Sequence, residues 1–597
     1  KNAYYVSRSV WTDGKNSPFV HILPAWDFNE GQEIEVRTYS NLKDVELFFN
    51  GKSLGKQHID LEHGKVLHGS WKLNYTKGEL IARAYDENGA EAAFDRRASF
   101  GEPAELVITP EKNTLKADGR DLIFLRIGAA DENGEPVANA RNRVKVEVSG
   151  AGRLVGLDSG DSTDYDSYKG NSKRLFSGLI TAIVGATFES GDINISVSSE
   201  GLPTARLVLT ALPGEVKEGT SAPHKCFPVY IQPEDNSVST RKIELSADGL
   251  ALHKEHHAAE IKAKILPENS SYKDITWKCV LENGIDSPIA KLVQKDGRVS
   301  VTAVGDGSFI LRAMCFNGKD HPEVISDLYF TAEGFGEALT DPYRFVSASL
   351  WAFSNLKPSI VDKGAVSGIN ERTVIGFENI DFGSYGSDKL TLYVGNGRAD
   401  DVEIELWKGN PDAPSESPEL TSELIDTLFF KPNNGWDRFM PEEFTLSKRI
   451  KGISSISFVI SKNVIFGGFE FKKLERSRAK LQSAEYDGIY GDDFVIRENR
   501  IEEIGNNVVI VFNGLDFGEK GVDGITIRGK TPNPVNPIQI RYTPKGGNQI
   551  TQLAEFGQSE EYTERSFKLD KITGEVSELS FVFMPGSNFG FDWFRFE

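Results

Sequence analysis

Hydrolysis of a glycosidic bond needs two carboxylates facing each other across a sugar. The chain pairs a carboxylate with a neighbouring amide at Asn29-Glu30 and Asn370-Glu371. Both pairs sit in polar turn contexts, Phe28-Asn29-Glu30-Gly31 and Gly368-Ile369-Asn370-Glu371. A given dipeptide arises by chance about once or twice in a chain of this length. Nothing alternates strand and helix eight times, so the barrel whose strand ends commonly carry such acids is not expected here. No catalytic residue is assigned, and the chain is read as non-catalytic. Nucleophile chemistry fares no better: there is no Gly-x-Ser-x-Gly elbow, no Gly-rich phosphate loop and no His-Glu-x-x-His helix.

Metal chemistry has two candidates. His256-His257 lies among charged residues and reads as a solvated strand edge. Asp158, Asp161, Asp164 and Asp166 crowd one short stretch. Hard oxygens at that density suit calcium, but the spacing is not that of an EF-hand loop, and a solvated acidic loop is the expectation. Aromatic residues are the stronger lead. Sugars present flat C–H faces that stack on Trp or Tyr, with polar groups at the rim. Asn433-Asn434-Gly435-Trp436-Asp437 places Trp436 in a polar, Gly-containing loop, where burial is harder to arrange than at mid-strand. Tyr562 is the nearest aromatic at the corresponding point of a second, repeated module. Trp593 falls in the apolar run Phe591-Asp592-Trp593-Phe594-Arg595-Phe596 and reads as core.

The elements that must position these residues are β-strands. Asn-Gly pairs, as at Asn50 and Asn88, separate alternating apolar runs, and both residue types tolerate the positive φ of a type I′ hairpin. Helical periodicity is scarce, and even Leu252 to Ile265 lacks caps and a sustained apolar stripe. The fold class is all-β: tandem immunoglobulin-like β-sandwiches followed by two β jelly rolls. Punctuation gives sandwiches over 21–100, 101–212 and 241–335, a Pro-rich linker over 213–240, and jelly rolls over 343–475 and 476–597. The last two are a duplication. Val374-Ile375-Gly376-Phe377 through Gly383 returns 135 residues later as Val509 to Gly518, Ser347-Ala348 returns as Ser483-Ala484, and Ser457 to Ile460 returns as Ser580 to Phe583.

Composition excludes several classes. The 597 residues are 39% hydrophobic, too apolar for a disordered chain, and no run approaches the ~18 apolar residues of a membrane helix. A net charge of −20, without a basic stripe, speaks against nucleic acid as a partner. Cys226, Cys279 and Cys315 are too few for a disulfide scaffold. Cys279 and Cys315 read as buried free thiols, with an immunoglobulin-like bridge as the alternative. Lys1 to Tyr5 show neither a signal-peptide pattern nor an initiator Met, so the numbering is expected to start inside a longer protein.

The front of the chain resembles a known family. His21-Ile22-Leu23-Pro24-Ala25-Trp26, followed by Val45 to Gly55, is similar to the sandwich after the catalytic barrel of family 2 glycoside hydrolases, the β-galactosidase-like members above all. Residues 1–20 then look like the barrel's exit. Gly101-Glu102-Pro103-Ala104, Ala117 to Leu122 and Val148 to Gly152 resemble the next immunoglobulin-like domain of those enzymes. Ala25 departs from the pattern, many relatives having His or another polar residue before the Trp. The last two modules resemble family-6-type carbohydrate-binding modules of the galactose-binding-like class. That resemblance implies a structural calcium in the second copy on Glu485 and Asp592, while in the first copy Ser349 and Glu470 stand at those places. No other cofactor is implied. The implied parent is a bacterial retaining hydrolase whose two Glu lie outside this sequence. Its implied partners are a galactoside-containing glycan or polysaccharide and the N-terminal catalytic region of the same protein, with no nucleic acid, no membrane and room for a homo-oligomer. Alternatives are oligomerisation sandwiches without sugar binding, or a parent acting on β-glucuronides or β-mannosides.

Overall fold

A computed structural model describes residues 2–60, 66–221, 235–295, 297–361, 364–369, 371–413, 422–433, 435–436 and 439–597. Residues 222–234 of the 213–240 linker, Cys226 among them, and Asn370, Asn434 and Asp437 lie outside them. The protein is all-β: among the described residues one α-helix, Asn2–Trp11, precedes a succession of strands. The chain divides into two compact units, Lys1–Gly336 and Glu337–Glu597.

The first unit holds three sandwiches. Each pairs two sheets, of three and four, four and five, and four and four strands among the described residues. The alternation that builds them is plain in Glu33–Ser40, where buried and exposed side chains take turns and Ile34 and Val36 point inward. Trp26 fills the first core, fully buried, and its indole N–H donates to the Thr76 carbonyl at 3.1 Å. Asn50 (φ 47°) and Gly51 (φ 78°) make the expected hairpin turn. At Asn88-Gly89 only the Gly takes positive φ, with the Asp86 carboxylate accepting from the amides of Asn88 and Ala90. The strand Leu202–Pro213 runs through the first linker Pro and pairs in parallel with Thr114–Ala117, so the second sandwich ends one residue later than expected. Cys279 and Cys315 are buried free thiols in the third core.

The second unit is the duplicated pair. In the first copy Thr373–Asp381 pairs with Ile453–Ile460, and in the second Val509–Asp516 pairs with Glu575–Phe583. Phe377 and Phe512, matched by the repeat, are both core residues. The final strands, Val464–Phe471 and Phe589–Phe596, share a bulge: Tyr393 faces Gly468 and Val394 faces Phe466, just as Arg528 faces Trp593 and Gly529 faces Phe591. Gly467 is therefore the counterpart of Asp592. Glu470, expected in that role, matches Arg595 instead. At the front of the modules Val346 pairs with Phe469 and Leu481 with Phe594, an offset of 135 that sets Ser347 against Gln482 and not against Ser483, its match in sequence. Leu350, rather than Ser349, then stands where Glu485 does.

Candidate functional site

Of the Asn29-Glu30 pair, Glu30 is exposed and Asn29 is structural. Asn29 is buried, donates to Ser326 Oγ (2.8 Å) and the Asp327 carbonyl (3.2 Å), and accepts from the Leu245 amide (2.8 Å). It thereby ties the first sandwich to the third. Glu371 is exposed. His257 is exposed and His256 half-buried at a tight turn.

The acidic loop departs from the solvated loop expected. Its centre is the side chain of Lys173, 2% exposed, whose ammonium lies 2.9 Å from Asp164 Oδ2 and donates to the Asp166 carbonyl at 3.0 Å. Asp166 pairs with Arg143 at 2.8 Å. The loop folds back on cations because a buried ammonium requires a counter-charge. No group of three or more His, Cys, Asp or Glu suited to a metal occurs among the described residues.

Trp436 sits in the segment joining Glu423–Phe430 to Met440–Ile450, over the end of Ser387–Gly395. Its ring rests directly on the Gly397 backbone: a Cβ built there would lie 2.4 Å from Cε2 and 2.5 Å from Nε1. Gly395 leaves similar room for the Trp436 carbonyl. Trp436 as a whole remains 42% exposed. Its floor is locked. Asn396 is fully buried and accepts from the Arg398 amide at 3.1 Å, Asn433 Oδ1 accepts from the Asn396 amide at 3.0 Å, and Asn433 Nδ2 donates to the Val394 carbonyl at 2.6 Å. Arg398 and Lys462 both pair with Asp400, at 3.1 and 2.7 Å. The result is an aromatic face on a rigid polar platform, the arrangement a stacking site for a neutral ring requires.

Tyr562 has different surroundings. Met440 pairs with Val394 and Thr563 with Gly529, so Tyr562 is the counterpart of Phe439, not of Trp436. Between the strand residues Phe430 and Met440 of the first copy the chain takes ten steps; between their counterparts Phe556 and Thr563 it takes seven. The loop that carries Trp436 has been trimmed away. The Tyr562 hydroxyl donates to Glu502 at 3.0 Å, and Arg500, Arg528 and Lys530 lie 4.8–5.8 Å from its ring. Burial first, and the Glu502 carboxylate second, push its pKa above the usual phenol range. Trp593 is buried as expected, but on the outer face of its sheet, beside the bulge, with the Lys480 ammonium 4.2 Å from its ring centroid.

Each expected calcium ligand has a protein cation of its own. Asp592 pairs with Arg528. Glu485, its side chain 9% exposed, faces Arg449 of the first copy at 3.2 Å and also Lys451, and accepts from the Gln482 amide at 3.0 Å. A metal ion would have to displace these partners. Beside them the Tyr385 hydroxyl donates to Asp487, and Arg476 stacks 3.7 Å over the Tyr385 ring while pairing with Asp487 at 2.8 Å. Burial works to raise the Asp487 carboxyl, but the Asn513 amide, Tyr385 and Arg476 outweigh it and hold the carboxyl below its ordinary value. These residues form a polar junction between the two jelly rolls. Sequence reading missed Arg449, Lys451 and Gly397; for the glycine, the Asn-Gly pair at 396–397 was the one available signal.

Comparison with known proteins places the front of the chain. Residues 106–208 match the model of glycoside hydrolase family 2 C-terminal domain 5, and residues 31–93 match a domain of unknown function (DUF4982). The beta-galactosidase BoGH2A of Bacteroides ovatus is 35% identical over 214 residues, 35% of this chain and 24% of that protein. A beta-glucuronidase of Formosa agariphila is 26% identical over 228 residues, 37% of this chain and 22% of its own length. A beta-glycosidase structure from Bacteroides vulgatus is 31% identical, covering 35% of this chain and 26% of that one with a TM-score of 0.33. The chain thus spans under a quarter of either curated relative. The family model and the curated relatives support a C-terminal region of a family 2 glycoside hydrolase.

Proposed function

We propose that the chain is the non-catalytic C-terminal region of a β-galactosidase-like hydrolase. Its first three sandwiches brace the catalytic region, and its first jelly roll binds neutral carbohydrate through Trp436. The observation that carries this reading is the half-open indole seated on Gly397 over a hydrogen-bonded Asn floor. A module of this kind holds an enzyme near polymeric substrate by raising effective concentration. The parent's sugar is read as a β-galactoside from the beta-galactosidase relative; the beta-glucuronidase relative makes a β-glucuronide the alternative. Two measurements on the purified chain test this. It should release no chromophore from β-galactoside, β-glucuronide or β-mannoside substrates, and turnover of any one would mean that a carboxylate pair operates among the sandwiches. It should also bind a neutral galactan oligosaccharide in calorimetric titration, and absence of heat would remove the carbohydrate-binding reading.

A further inference from the structure

The duplication makes a controlled comparison possible, because matched strand positions carry different chemistry on the same sheet face. Strand pairing sets Lys480, Arg500, Arg528 and Lys530 of the second copy against Phe345, Ala365, Tyr393 and Gly395 of the first. Four neutral positions have become four cations. Two neighbours have become acids, Glu502 against Ser367 and Asp592 against Gly467, and these pair with Arg500 at 2.8 Å and with Arg528. Among the described residues neither Lys480 nor Lys530 has a carboxylate within ion-pair distance, and Glu564, opposite Arg528 on the neighbouring strand, is exposed and pairs with neither. Two ammonium groups outside any ion pair therefore flank the face, Lys530 acting on Glu502 only from a longer distance. Their field is local: at physiological salt the overall charge of −20 is screened beyond about 8 Å.

The rings on this face are also rearranged. In the first copy Phe345 lies over Gly468; in the second the ring is Trp593 and the group above it is Lys480. Trp593 is 4% exposed, yet its indole N–H has no hydrogen-bond partner. A buried donor left unpaired under a flexible, exposed lysine is costly unless something else uses it. Tyr562 and Lys530 pack over Gly590, where a side chain would collide with both. Aromatic surface, an unused donor and free ammonium groups lie within one patch.

We propose that this face of the second jelly roll binds an anionic saccharide, whose acidic group takes Lys480 and Lys530 as counter-charges while its ring meets Trp593 and Tyr562 as Lys480 moves aside. The site is separate from Trp436 and selects charge where the first copy selects neutrality. Titration of the full chain with an oligogalacturonate, a sulfated galactan oligosaccharide and a neutral galactan oligosaccharide tests this, with Lys480→Gln/Lys530→Gln and Trp436→Ala as variants. Both lysines lack ion-pair partners, so their replacement breaks no salt bridge. At least one anionic ligand should bind, weaken on adding salt, lose about tenfold or more in affinity in the double lysine variant, and be unaffected by Trp436→Ala; which of the two binds distinguishes carboxylate from sulfate. Absence of binding by both anionic ligands, equal affinity of the neutral ligand for this face in Trp436→Ala, or unchanged affinity in the double lysine variant would overturn the proposal.

Discussion

Glu485→Gln separates two roles for a residue that resemblance assigns to calcium and the structure surrounds with cations. The substitution keeps the shape and removes the charge facing Arg449 and Lys451. Breaking a fully buried ion pair by removing one partner costs about 3–5 kcal/mol, whereas exposed pairs contribute about 0–1. Glu485 and Arg449 side chains are 9% and 14% exposed but that of Lys451 is 35%, so partial rehydration brings the expected loss to about 2–3 kcal/mol. For a module of this size that is a fall of about 6–12 °C in its melting transition. Scanning calorimetry of the intact chain reads it as movement of one transition, since several sandwiches do not melt as a single two-state unit. Arg449→Met should cost a similar amount, and the double variant less than the sum, because both break one network. Chelation with EDTA should leave the transition in place. Refutation would be an unmoved transition in Glu485→Gln, or an EDTA-induced fall that this variant abolishes.

Three further outcomes are expected. Gly397→Ala puts a methyl where the indole rests at a backbone conformation any residue tolerates, so it should abolish neutral-sugar binding by titration while moving the melting transition by no more than a surface substitution does, within about 0.5 kcal/mol. Asp164→Asn strands the Lys173 ammonium and should cost about 3–5 kcal/mol in denaturant unfolding, whereas Lys173→Met, which removes the buried charge itself, should cost clearly less. Burial pushes the Cys279 thiol up to about 12, so peptide mapping after iodoacetamide treatment at neutral pH should find it unmodified until the protein is denatured.

The strand framework was legible because it rests on local chemistry. Asn50-Gly51 announces its hairpin through two residues that accept positive φ, and the spacing of Phe377 and Phe512 within matched runs marks one core position twice. The loop position and exposure of Trp436 were legible for a related reason, since it is a large ring among residues that favour a turn. What escaped depends on register or on distance along the chain. Strand register decides that Asp592 answers to Gly467 and not to Glu470, and composition does not reveal register. Glu485 meets Arg449 and Lys451 across a module boundary some 35 residues away, where no periodic spacing connects them. The Asp158–Asp166 loop misled in the opposite direction. Its density of acids is conspicuous, but the lysine that organises it is an ordinary residue in a short strand, recognisable only by its burial.

The most direct test of the account is a paired calorimetric titration of the intact chain and its Trp436→Ala variant with a neutral galactan oligosaccharide. Stacking on an aromatic face contributes about 0.5–1.5 kcal/mol beyond the area it covers, so the account predicts weak binding by the unaltered chain and none by a variant that melts at the same temperature. Equal affinity in the two proteins would contradict it.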